Sequence, residues 1–227
     1  MNALVTRNTI LAITAAAVVS ACGSNNSPSP TPNSTNTLSF FVTSTTNATG
    51  NLGGLRGADA LCQGLATAVN AGQKTWRAYL SVEQDPDNGN NPTNARARIG
   101  TGPWVNAAGV TVAANVNDLH ARPGDAAVFV DERGQRINGQ WTGSPSPVQH
   151  DILTGSSADG SLMPGLTCSD WTSSSASVAA QVGHSDGLGP NQGTSGSLSS
   201  WNSAHASASC ADTAPRGGAG RIYCFAR

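Results

Sequence analysis

The chain has 227 residues, 38% of them hydrophobic and only 11% charged. Twelve Lys plus Arg stand against thirteen Asp plus Glu, a formal net charge of −1. That balance gives no global electrostatic case for nucleic acid or an anionic membrane surface, and the length fits one large domain with long, polar, uncharged loops.

The amino-terminal segment carries a signal of its own. Arg7 precedes an apolar run from Ile10 to Val19 that only Thr14 interrupts. A membrane-spanning helix needs ~20 apolar residues, so this shorter run fits the hydrophobic region of a secretory signal. It ends Val19-Ser20-Ala21-Cys22-Gly23, which resembles a bacterial lipobox. The resemblance makes residues 1–21 a lipoprotein signal peptide and Cys22 the lipidated residue, with membrane attachment through its acyl chains. Gly23 stands where Gram-negative lipoproteins retained at the inner membrane carry Asp, which implies the cell envelope and its outer membrane, facing the periplasm or the cell surface. From Gly23 to Thr37 there is no apolar side chain. Such a stretch has nothing to bury, and residues 22–37 are expected to form a disordered tether reaching on the order of 20 Å.

With Cys22 assigned to lipid, Cys62, Cys168, Cys210 and Cys224 form an even set. In an oxidising compartment an even set predicts two structural disulfides, and four cysteines allow three pairings. No Cys-x-x-Cys pair is present, so neither a cysteine-zinc site nor redox catalysis is expected. The domain is expected over 38–227.

In chain order, Leu38 to Val42 reads as a first strand. Asn51 to Asn70 reads as a helix, because Ala58, Leu61, Cys62, Leu65, Ala66 and Val69 share one face at helical spacing, with Gly72 ending it. Trp76, Ala78, Leu80 and Val82 alternate with Arg77, Tyr79 and Ser81 as a half-buried strand does. Asp85 to Pro92 is turn-rich, and Asn94 to Ile99 can form a short helix before Gly102-Pro103 breaks it. Trp104-Val105 begins another short extended piece. Ala127 to Asp131 reads as a strand with a turn at Arg133-Gly134, and Gln140 to Gly143 as a further extended piece. Ser144 to Ser200 is mostly Gly, Ser, Pro, Asn and Asp, a long loop that Cys168 and Cys210 bracket in large part. Gly220 to Phe225 reads as a final strand, with Leu38 to Val42 as its partner.

A series of stretches in this order resembles the C-type-lectin-like fold, and more closely its endostatin-like branch found in bacterial lipoproteins, including the leptospiral endostatin-like outer-membrane lectins. The stretches are Gly53-Gly54-Leu55-Arg56-Gly57-Ala58-Asp59-Ala60-Leu61-Cys62, Thr75-Trp76-Arg77-Ala78-Tyr79-Leu80, Gly102-Pro103-Trp104, Asp118-Leu119-His120, Trp141-Thr142-Gly143, Cys168-Ser169-Asp170-Trp171-Thr172, Trp201-Asn202 and Arg221-Ile222-Tyr223-Cys224-Phe225. The resemblance implies an α+β C-type-lectin-like fold with short antiparallel strands, one or two helices and a long Gly/Ser-rich loop. It implies two nested disulfides, Cys62 with Cys224 and Cys168 with Cys210, and a core holding Trp76, Trp104 and Trp141.

Sugar-binding members of that fold use calcium held by carboxylate-rich motifs. Here Pro145 and Pro147 lack flanking acids, and Trp201-Asn202-Ser203 has serine where an acid is needed. The calcium motif is incomplete, so no cofactor is assigned, although Asp170, Asp186 and Asn202 carry suitable oxygens. The ligand-binding candidates are Asp170, Trp171, Asp186, Trp201 and Asn202. Arg96 and Arg98 lie close together, but with net charge near zero an anionic-glycan patch would have to be local, and solvent-facing arginines are the simpler expectation.

Gly183-His184-Ser185-Asp186-Gly187 matches the Gly-x-Ser-x-Gly elbow of serine hydrolases. Its context is wrong. No helix can follow in Leu-Gly-Pro-Asn-Gln-Gly, and His205 precedes Asp212, the reverse of the hydrolase order. The four histidines are dispersed along the chain, so no metal site is expected among them. The expectation is a lipid-anchored extracytoplasmic lectin-like protein binding glycan or extracellular protein without catalysis. The alternatives are a structural envelope lipoprotein and, more remotely, a hydrolase using Ser185.

Overall fold

A computed structural model describes residues 36–227, together with Met1. The lipidation expected at Cys22 lies outside the described residues. Asn36, inside the expected tether, belongs to the folded part, since its amide donates to the Val69 carbonyl at 2.9 Å. Among the described residues no helix is long and apolar enough to cross a membrane.

The fold is mixed α+β, built on the C-terminal strand. Strand β1 (Phe40–Val42) leads to helix α1 (Gly54–Ala68), then to β2 (Trp76–Ala78), β3 (Val82–Asp85) and β4 (Asn91–Thr93). Helix α2 (Ala95–Arg98), strands β5 (Trp104–Val105) and β6 (Thr111–Ala113), and helix α3 (Val116–Ala121) follow. The second half contributes β7 (Asp151–Leu153), β8 (Gln181–His184), β9 (His205–Ala206) and the long β10 (Gly218–Ala226). The main sheet runs β1-β10-β7-β8-β9, with β2 also paired to β10.

As expected, the first and last strands pair antiparallel, Phe40 opposite Phe225 and Val42 opposite Tyr223. All nine residues of β10 are buried, because both faces are covered. Ile222 and Cys224 point to a core with Phe41, Trp76, Leu153 and Trp171. Tyr223 and Phe225 point to a second core with Phe40, Tyr79, Trp104, Phe129 and Trp201. Helix α1 packs its Ala58, Cys62 and Ala66 inward. It is tied to β10 by Cys62–Cys224, while Cys168–Cys210 closes the inner loop. In the chain-entropy account the outer bridge contributes about 4–5 kcal/mol.

Several expectations need correction. The sheet is not wholly antiparallel, since β7 and β10 run parallel. Gly72 does not end α1; Val69 caps it and Asn70 takes the left-handed conformation at φ 59°. The predicted strand over 76–82 divides into β2 and β3, and Tyr79 and Ser81 are buried alongside Leu80. Ala127 to Asp131 forms turns that end in single bridges, Val42 to Asp131 and Val130 to Arg136. Gln140 to Gly143 is bend and turn rather than strand. Trp141 is half-buried, with Arg136 5.3 Å over its ring. The tryptophans that join Trp76 and Trp104 in the cores are Trp171 and Trp201. The largest revision concerns 144–200. Despite its composition this stretch supplies β7 and β8, two inner strands of the main sheet.

Candidate metal centre

The five residues expected to bind a ligand do not form one surface. Trp171 is fully buried, and its indole N–H donates to the Ser81 carbonyl at 2.9 Å. Asp170 accepts from the backbone amides of Glu83 and Gln84 at 2.6 and 3.2 Å. Both sit in a turn, Cys168–Trp171, whose four φ angles of 49, 50, 56 and 65° are left-handed. Trp201 is buried and donates to the Leu119 carbonyl at 2.9 Å. The Asn202 amide donates to the Tyr79 hydroxyl and to the carbonyls of Ser157 and Ala158. Asp186 alone joins a cluster of ionisable groups. Arg98 is not solvent-facing either, since it pairs with Asp59 at 2.8 Å with its side chain only 9% exposed.

The cluster lies at neighbouring ends of β7, β8 and β9. Asp151 stands directly opposite His184 in the antiparallel β7–β8 pair. His205 is opposite Val182, two residues from His184, so strand alternation puts all three side chains on one face. His150 precedes β7, and its ring stacks on His184 with centroids 4.4 Å apart and planes 7° from parallel. The His205 ring meets His184 edge-on at 5.0 Å. His150, Asp151 and His184 are each no more than 3% exposed, while the His205 side chain, 30% exposed, forms the rim.

Each imidazole is oriented by its Nδ1. That of His150 meets the Asp186 carboxylate at 2.7 Å, that of His184 the Leu198 carbonyl at 2.8 Å, and that of His205 the Ala206 carbonyl at 2.9 Å. Carbonyls and carboxylates accept, so the proton of each neutral ring belongs on Nδ1 and Nε2 presents a lone pair. All three Nε2 atoms face Asp151. Those of His150 and His184 are 3.3 and 3.4 Å from its Oδ1, and that of His205 is 3.5 Å from its Oδ2. Asp151 Oδ1 is buried with no hydrogen-bond partner.

Lone pairs facing lone pairs in a buried site repel unless a proton or a metal ion lies between them. A tetrahedral ion with bonds of 2.0–2.2 Å separates its ligands by about 3.3–3.5 Å, the range in which the spacings of His150 and His184 to Asp151 Oδ1 fall. His150, Asp151 and His184 bring one ligand atom each to within 4.8 Å of one another. Hydrogen bonds from the second ring nitrogen to carboxylate or carbonyl are the usual support of metal-bound histidine. Imidazoles with one carboxylate suit zinc and its neighbours among the transition metals, not calcium or magnesium, which take oxygen ligands.

The protonation energetics agree with the geometry. Burial pushes Asp151 up to about 6, against the pull of His150 and His205. Burial and then the nearby His150 push His184 down to about 4, so it is neutral at pH 7. Burial also opposes ionisation of Asp186, but its hydrogen bond to His150 and the amides of Gln140 and Leu188 outweigh this and hold it below the ordinary carboxylate value. A cavity of about 360 Å³ opens on the three histidines.

The histidines were not expected to meet, and the reason is register. Sequence spacing of 34 and 21 residues shows nothing until β7, β8 and β9 are aligned. The visible signals were the His150-Asp151 doublet before Ile152-Leu153 and the His184-x-Asp186 pair inside the elbow match. That match is no nucleophile elbow. Strand β8 runs antiparallel to β7, and a short 3-10 turn, Pro190–Gln192, follows instead of a helix. Its glycines answer to packing. A Cβ on Gly183 would sit 1.9 Å from the Trp201 carbonyl oxygen, and Gly187, at φ 69°, lies against Gly124.

The family model described as "Protein of unknown function (DUF1554)" matches residues 45–188. The match contains His150, Asp151, His184 and Asp186, whereas His205, Cys210 and Cys224 lie beyond it. No sequence among the curated proteins matches the chain.

Proposed function

The chain belongs to the DUF1554 family, and from the chemistry of the site we propose that it is an extracytoplasmic metal-binding protein holding one transition-metal ion, zinc in the first instance. His150, Asp151 and His184 are the ligands, His205 stands at the rim beside them, and Asp186 fixes the His150 ring. The observation that carries this reading is the buried, unpartnered Oδ1 of Asp151 among imidazoles whose protons are committed elsewhere. Export and lipid attachment through Cys22 belong to the same proposal, supported by the signal-like amino terminus and by two disulfides in the domain. So does the C-type-lectin-like reading of the fold, supported by the paired first and last strands and the nested bridges. A glycan or protein ligand has no surface built from the five residues named for it, so the proposal is confined to the metal.

Calorimetric titration of the disulfide-bonded, chelator-stripped full chain with Zn²⁺ tests it. One ion per chain is expected, with binding abolished in Asp151→Ala and in His184→Ala and retained in Asp170→Ala. Binding weaker than micromolar, or equal binding in all three variants, would sink the proposal.

A further inference from the structure

The cavity and the cluster are placed so that a bound metal would not be closed off from solvent. His150, His184 and His205 line the cavity, whereas Asp151 and Asp186 are buried and take no part in its lining. The remaining walls are Gln140, Pro190, Leu198 and Arg216. Volumes of about 300 Å³ and above suit small-molecule ligands.

Arg216 is the one cation in these walls. Its guanidinium donates to the Ala206 carbonyl at 3.1 Å, the same oxygen that orients His205. It is therefore held beside His205 at the rim of the cavity. Five N–H donors in a planar fork leave it free to grip a carboxylate after that one bond.

Resting on the metal-site reading, we propose that the occupied centre keeps an open coordination position towards this cavity and takes a small monocarboxylate, one end of the carboxylate on the metal and the other on Arg216. The two anions of the cluster, Asp151 and Asp186, balance a divalent ion, and Arg216 then leaves one positive charge to be met. A monoanion meets it; a phosphate dianion overshoots. Pro190 and Leu198 supply apolar contact for the body of the ligand, which favours a short aliphatic acid over a polyhydroxylated one. Association needs no bond breaking, only displacement of water from the metal.

Cobalt(II) substitution reads this out, because its visible absorption responds to a change of ligand. In the full chain loaded with Co²⁺, titration with butyrate is expected to change the spectrum saturably, and inorganic phosphate at the same concentrations is not. Arg216→Met is expected to weaken butyrate at least tenfold while one Co²⁺ per chain still binds, which also reports that the variant is folded. If Co²⁺ binds but butyrate leaves its spectrum unchanged, or phosphate competes equally, the carboxylate site is overturned and the metal site stands. If butyrate binds Arg216→Met as it binds the parent, the arginine clamp is overturned. If no Co²⁺ binds, the metal reading fails and takes this inference with it.

Discussion

The left-handed turn at Cys168–Trp171 and the histidine cluster at the ends of β7, β8 and β9 are both polar and largely withdrawn from solvent at Trp171 and at Asp151, yet they treat their hydrogen-bonding capacity in opposite ways. In the turn the polar groups of the Asp170 and Trp171 side chains are committed. Asp170 accepts two backbone amides, the Trp171 indole reaches the Ser81 carbonyl, and the Trp171 carbonyl accepts the Leu52 amide at 2.8 Å. Left-handed backbone costs roughly 1–2 kcal/mol per residue, and these bonds, together with the Cys168–Cys210 bridge, hold it. In the cluster the outer bonds are made and the inner ones are not. Three Nδ1 atoms are fixed, while the Nε2 atoms and Asp151 Oδ1 face one another without a donor. Buried polar atoms are nearly always paired. A saturated group holds the fold, whereas a buried acceptor ringed by other acceptors is an arrangement that a cation completes.

Truncating the turn should give the largest effect. Trp171→Ala removes a fully buried side chain and orphans the Ser81 carbonyl, so a loss of about 3–5 kcal/mol is expected in urea unfolding. Zinc affinity of the folded fraction should be unchanged. A loss below about 1 kcal/mol would break the claim that this turn is structural.

Both regions were visible as residue types, and only one kind of information separated them. Asp170, Trp171, Trp201 and Asn202 stood out because aromatic and amide groups in a polar loop resemble a binding face. Their saturation depends on Glu83, Gln84, Ser81, Leu119 and Tyr79, distant in the chain, and no local pattern reports that. The terminal strands and helix α1 were legible because apolar periodicity is local. Strands β7 and β8 were not, since each is only three or four residues long in a Gly- and Ser-rich stretch. Their parallel and antiparallel pairing with β10 and β9 is a tertiary fact. Asp151 and His184 lie on these strands and His150 directly precedes β7, so missing the strands meant missing the cluster.

Adding the ion should sharpen the contrast from the other side. An ion bound only by the native state stabilises by about 2.7 kcal/mol at a free concentration 100 times Kd. Thermal unfolding of the full chain with and without Zn²⁺ should show that increment, reversed by chelator. The increment should vanish in His184→Ala and persist in Asn202→Ala, although the latter starts from a fold weakened by about 1–3 kcal/mol because the Ser157 and Ala158 carbonyls lose their donor. An equal increment in all three would place the ion somewhere else.

A subtler comparison concerns the two aspartates recruited for support. Asp186→Asn keeps the size of the group but weakens its hold on the His150 ring, so zinc affinity should fall about 10–100-fold. Asp170→Asn, in the saturated turn, should leave zinc affinity within twofold of the parent, about 0.4 kcal/mol. Competition against a chromophoric chelator measures both.

The smallest effect has the opposite sign and tests the unsatisfied centre most directly. In the metal-free protein Asp151 holds a buried carboxylate oxygen without a donor, which destabilises the fold. Asparagine at that position removes the charge and supplies an N–H₂ that can donate to the bare Nε2 of His150 or His184. Metal-free Asp151→Asn should therefore be more stable than the parent by about 1 kcal/mol, while losing most of its zinc affinity. Residues that hold a fold lose stability when altered, and residues kept for a ligand can gain it. A metal-free Asp151→Asn protein less stable than the parent would mean that this carboxylate already has its partner inside the protein, and the distinction between the two regions would fall.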